Sequence, residues 1–153
     1  MSKLKLTLDL IPKSQFNNNV RSIVSKKQWD YIRSQVYAEA YNVCEICGGI
    51  GEKHPVEAHE IFSYDNKTLI QKLDKLIALC PNCHMVKHMG LAEIMGKKIE
   101  AIIHLSKINK MTRKEAKIYI KESFKIWEER SKKNWILDLS YLKKYGINVT
   151  KLK

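Results

Sequence analysis

The chain has 153 residues, enough for a single domain with a real core and further elements around it. It carries 28 lysines and arginines against 16 aspartates and glutamates, a net charge of +12, and its mean hydropathy is −0.36. Four cysteines are too few for a disulfide-dense secreted scaffold, no apolar run is long enough to cross a membrane, and Met1 to Leu10 alternates leucine with polar residues where a secretion signal would be apolar, so a soluble protein of the reducing cytoplasm is expected.

The charge is unevenly spread. Residues 1–43 carry seven basic and three acidic side chains, residues 44–96 five and seven, and residues 97–153 sixteen and six. A slightly acidic middle therefore sits between two basic flanks, for which a polyanion such as DNA is the natural partner. A lysine-rich face can also be no more than a solvated helix surface, so the weight falls on the motifs.

In chain order, Leu4, Leu6, Leu8 and Leu10 alternate with polar residues and predict a half-buried strand ended by Pro12. Asn17 to Asn19 mark a loop, and Ser25 with Gln28 has the spacing of a capping box, which starts a helix near Lys26 with the apolar stripe Trp29, Ile32, Val36 and Ala40. Residues 55–61 read as a strand, 62–75 as a loop with a short helical turn, and Leu76 to Leu79 as a short apolar strand. Pro81 suits the first turn of a helix running to about Met95, with Gly90 as a point where it can break early. A further helix follows over 97–109, with the stripe Ile99, Ile102, Ile103 and Leu105. Thr112 and Glu115 form a second capping box, opening a helix to about Arg130 that buries Ala116, Ile120, Phe124 and Trp127. Trp135 to Leu137 predicts a last strand paired with the first, and Ser140 to Tyr145 a short helix stopped by Gly146.

Two sites emerge from this layout. Cys44 and Cys47, then Cys80 and Cys83, form two C-x-x-C pairs separated by 32 residues, longer than the loop of a simple zinc ribbon. Four thiolates satisfy a closed tetrahedral zinc site with Zn–S near ~2.3 Å, and Gly48 and Gly49 allow the tight knuckle in which amides approach sulfur. With four protein ligands, such a zinc is structural. The second site is built from histidines. His84 and His88 stand four apart on one predicted helix and share a face, and the strand carrying His59 is brought near them by the cysteine knot. Three neutral imidazoles leave room on a divalent metal for water and a phosphate oxygen. His54 and His104 lack such partners and read as surface or structural histidines. Lys87 reads equally as a phosphate contact or an exposed helix lysine.

Ala58-His59-Glu60-Ile61, followed by Leu79-Cys80-Pro81-Asn82-Cys83-His84-Met85-Val86-Lys87-His88, resembles the HNH (ββα-metal) endonucleases, in particular their zinc-knotted bacterial and phage members. The resemblance covers about residues 44–90, with basic helical flanks at 1–43 and 97–153. It extends more loosely to Trp29-Asp30 and to the stretch from Trp127 to Ser131. It implies an α+β fold: a zinc-stabilised ββα-metal core flanked by helices, with a small terminal β element. It also implies metal-dependent hydrolysis of DNA phosphodiesters. His59, Glu60 and His84 would be the catalytic residues, and His59, His84 and His88 would ligate Mg²⁺, Mn²⁺, Ni²⁺ or Zn²⁺. Glu60 stands where the family's general-base histidine normally sits. It can be the base, or a metal ligand with His59 as base, or the sign of an inactive site that only binds DNA. Modules of this family often work as a homodimer or with a partner protein, and this chain has no second recognisable reader of DNA. The competing reading is a non-catalytic zinc module that binds nucleic acid or a protein.

Overall fold

A computed structural model describes residues 3–152; Met1 and Ser2, the start of the N-terminal segment read above, and Lys153 lie outside the described residues. Helices α1 (Val20–Ile23) and α2 (Lys26–Glu39) come first, then strands β1 (Glu57–Asp65) and β2 (Ile70–Leu79). Helices α3 (Pro81–Lys87), α4 (Met89–Ile94), α5 (Lys98–Asn109) and α6 (Arg113–Ser131) follow, and then the short strand β3 (Ile136–Asp138). The fold is α+β, with a three-stranded sheet in the order β1-β2-β3.

The helix boundaries follow local chemistry. Ser25 and Thr112 each accept the backbone N–H three residues on, and Gln28 and Glu115 reach back to cap the preceding amide, so both capping boxes are closed. Each hydroxyl cap is worth ~1 kcal/mol. Gly146, at φ +75°, ends the 3-10 turn Ser140–Tyr145 in the left-handed conformation that glycine adopts without strain.

Three expectations are corrected. The loop read at 62–75 is a hairpin of two long strands. Asp65 turns it by accepting the amides of Lys67 and Thr68. The alternation in β2 is hidden because the register shifts opposite Ile61 and Phe62, which puts Leu73 and Leu76 on the same face although they are three residues apart. The helix expected from Pro81 to Met95 is two helices. The break falls at His88 (φ −104°, ψ 54°), not at Gly90.

The third correction concerns the N-terminus. Leu4 to Leu10 forms no strand, and β3 pairs in parallel with β2 at Ile70–Lys72 instead. Leu6 is fully buried, as its alternation requires, but the segment's backbone is held by side chains. Asn109 takes the Lys5 and Leu6 amides and donates to the Leu6 carbonyl, Tyr119 takes the Leu8 amide, and Trp127 donates to the Ile11 carbonyl. The segment is a strap tied down by α5 and α6, with Asp9 N–H donating to the Lys87 carbonyl of α3. A buried amide needs a partner but not a strand partner, and here helix side chains supply it.

The sheet separates two apolar cores. On one side Ile77 and Leu79 pack with Cys83, Val86, Met89, Leu105 and Ile120; on the other Leu73, Leu76 and Ala78 pack with Val20, Ile32, Val36 and Leu142. Truncating a fully buried leucine such as Leu79 to alanine is expected to cost ~2–5 kcal/mol. Because side chains alternate along β1, Glu57, His59 and Ile61 face the first core and Ala58, Glu60 and Phe62 the second.

Candidate metal centres

After α2 the chain turns through Tyr41 and Asn42, both left-handed (φ 55° and 57°), and enters the first cysteine pair. Glu45 fastens this knuckle to β2: its amide donates to the Ala78 carbonyl at 2.9 Å, and its carboxylate accepts from the Ala78 amide at 2.6 Å. Gly48 takes φ +75°, and the Gly49 amide points at Cys47 Sγ at 3.4 Å. At this same end of β2, Cys80 caps α3 by accepting the Cys83 amide on its sulfur, and Pro81 occupies the first turn. The four sulfurs lie within 4.8 Å of one another, and Cys47 and Cys80 are 3.6 Å apart. Four sulfurs at ~2.3 Å from one ion in a tetrahedron would stand about 3.8 Å apart. All but Cys47 are buried, and none is in a disulfide. The Cys83 thiol, donating to Cys44, pulls Cys44 down to about 4, while that same bond pushes Cys83 up. Donor set, spacing and amide-to-sulfur bonds fit a structural metal such as zinc.

The second cluster begins one residue later. His59, His84 and His88 each bring a ring nitrogen within 4.8 Å of the others. His84 Nε2 and His88 Nε2 are 3.1 Å apart, between the ~3.0 Å of an octahedral and the ~3.4 Å of a tetrahedral pair of nitrogens at ~2.1 Å from one ion. The three rings stand at 71–77° to one another with centroids 4.7–5.2 Å apart, so their edges converge on one point. Burial holds His59 below its ordinary value, and burial with the neighbouring imidazoles pushes His88 down to about 3. Both rings are neutral at pH 7 and keep a lone pair for an ion.

Two carboxylates back this trio, and neither was among the residues singled out from sequence. Glu57 accepts from His84 Nδ1 and, at 2.7 Å, from His54 Nε2. Burial works to raise Glu57, but these two hydrogen bonds outweigh it and hold the carboxyl below its usual value. Asp9, on the strap, accepts from His59 Nε2 at 2.8 Å and pairs with Lys87 Nζ at 3.1 Å. The outer nitrogens of His59 and His84 are thus occupied, which fixes their tautomers and leaves the inner ones as the donors. Glu57 was legible: two residues before His59 on a strand is the same face. Asp9 carries no sequence signal, because only the strap's tertiary path delivers it.

Glu60 is not brought to the trio. It lies on the opposite face of β1, where its carboxylate accepts the Val20 amide at 3.1 Å and ties the start of α1 to the sheet. Burial raises it to about 7, only partly offset by that hydrogen bond. The roles of base and of metal ligand expected for Glu60 therefore fail on strand alternation. Lys87 is neither a phosphate contact nor an exposed lysine: it is 3% exposed, paired with Asp9 and donating to Thr7 Oγ1. His104 is bonded to Cys83 Sγ at 3.1 Å, so it braces the cysteine cluster.

Of the basic flanks, Lys114, Lys117, Lys121 and Lys125 form an exposed row on α6, away from buried Ala116 and Ile120, and take part in no ion pair among the described residues. No helix among the described residues is long and apolar enough to cross a membrane. No protein family, curated protein or solved structure matches the chain.

Proposed function

We propose that the chain is a metal-dependent endonuclease of the HNH type that hydrolyses DNA phosphodiesters at the histidine trio. The observation that carries this reading is the convergence of His59, His84 and His88, each neutral or carboxylate-backed, beside a four-cysteine cluster that shares α3 and its caps with them. His84 and His88 would hold a divalent ion through Nε2, and His59 through Nδ1, since Asp9 occupies its other nitrogen. The ion would supply positive charge against the phosphate and the leaving oxygen, and would acidify water. Glu57 and Asp9 hold the imidazoles in orientation. With Glu60 turned to the other core, no carboxylate base is assigned, and acidification by the ion takes that role. Exposed lysines of the flanks would hold the backbone, giving affinity that falls with salt.

Plasmid nicking tests this directly. Protein with Mg²⁺ or Mn²⁺ should convert supercoiled DNA to open-circular or linear forms, and His84→Ala should abolish the conversion. Equal cleavage by that variant would sink the assignment. The displacement of Glu60 also favours a second reading, a zinc module that binds nucleic acid or a protein without cutting. It predicts salt-sensitive DNA retention with no cleavage by any metal.

A further inference from the structure

Between the strap and the free edge of β1 lies a cleft of about 300 Å³, lined by the strap from Leu8 to Ile11, by Phe62 to Tyr64, and by Arg130. β1 is the outer strand, and no backbone hydrogen bond joins it to the strap there among the described residues. The two segments run close without pairing, so the cleft stays open. The cleft shares Asp9 with the histidine trio: the residue that lines it also bonds His59. Arg130, from the last turn of α6, lies over the Tyr64 ring at 4.1 Å, and Tyr64 is itself braced edge-on by Trp135 at 5.1 Å. The stack fixes the guanidinium plane while leaving its N–H groups unused, and none of the ion pairs among the described residues involves Arg130. The Asp9 carboxylate does not spoil the site for an anion, because the Lys87 ammonium balances its charge and the neutral His59 ring donates a hydrogen bond to it.

We infer that this cleft is a subsite for a nucleotide of the substrate strand next to the scissile phosphate, with Arg130 holding its phosphate and Leu10 and Phe62 packing against the sugar. The inference rests on the nuclease reading for its place in the reaction, but the binding it asserts can be measured without cleavage. A preoriented guanidinium fits the planar, bidentate recognition of a phosphate, which a lysine offers only as a point charge.

The test uses the full zinc-loaded chain without added Mg²⁺ or Mn²⁺, titrated with the 5′-phosphorylated dinucleotides pdTdT and pUpU by calorimetry and by backbone NMR. Shifts should concentrate on residues 8–11 and 62–64, and Arg130→Gln should weaken binding about 10-fold or more. Arg130→Lys should recover only part of the loss. Ser63→Glu, which replaces the hydroxyl bonded to Asp74 with a negative charge on the cleft wall and leaves Arg130 in the chain, should weaken binding comparably. Unchanged affinity in both Arg130→Gln and Ser63→Glu, or shifts confined to the α6 lysines, would overturn the subsite. Arg130-dependent binding without metal-dependent cleavage keeps the subsite and removes the nuclease; cleavage indifferent to Arg130 does the reverse.

Discussion

Cys83 and His84 are neighbours in sequence, yet they belong to clusters with opposite surroundings. The cysteine cluster is lined by apolar core and backbone amides, and its four donors would complete the shell of a tetrahedral ion. The histidine cluster is backed by two carboxylates and offers three donors. α3 and its two caps send Cys80 and Cys83 to one site and His84 and His88 to the other. The lesson is that local spacing sets which residues can reach an ion, while the backing groups decide whether the ion holds the fold or is left open for chemistry.

Removing the ion from the cysteine cluster should have the largest effect. Its ligands join the knuckle before β1 to the helix after β2, and structural zinc binding is worth ~10 kcal/mol or more, as large as the stability of a typical domain. Chelation, or Cys80→Ser, should abolish cooperative unfolding and dispersed amide signals in NMR. A native spectrum from fully demetallated protein would erase the distinction between the clusters. His84→Ala should do the opposite. We expect a thermal midpoint within a few degrees of the parent and, under the nuclease proposal, one metal ion fewer per chain after loading and cleavage reduced by ~10³-fold or more.

Weakening the backing groups should give intermediate effects. Asp9→Asn and Glu57→Gln should each lower affinity for the second metal by about 10–100-fold, read by Co²⁺ or Mn²⁺ titration, and leave the cysteine-bound metal in place. Equal loss from both clusters would mean that the two are not separable.

The smallest effect should come from Glu60. Its carboxyl is raised from 4.5 to about 7, so the folded state favours the neutral form. That contribution to stability is complete below pH 4.5 and is lost as the pH rises through 7. Glu60→Gln keeps an oxygen for the Val20 amide and removes the charge. It should match the parent in urea unfolding at pH 4 and exceed it at pH 8 by on the order of 2 kcal/mol. Under the nuclease proposal it should also leave DNA cleavage unchanged, because its side chain lies across the sheet from the histidines.

The sequence by itself determined what depends on near neighbours. Both capping boxes, the glycine knuckle, the Gly146 stop, the two C-x-x-C pairs and the one-turn spacing of His84 and His88 are fixed by hydrogen bonds and donor positions within a few residues. Strand alternation was equally readable, and applied to β1 it already separates Glu60 from His59 and adds Glu57. The tertiary structure alone decided the rest. Leucine alternation in the first ten residues could not reveal that Asn109, Tyr119 and Trp127 would satisfy that backbone in place of a strand. Nor could it show that the same strap would carry Asp9 across 50 residues to His59. The register shift in β2 hid a strand whose inward residues are three apart. Periodicity reports which side chains are buried; the partners of the backbone, and the polar groups placed behind a ligand, are set by elements far away in the chain.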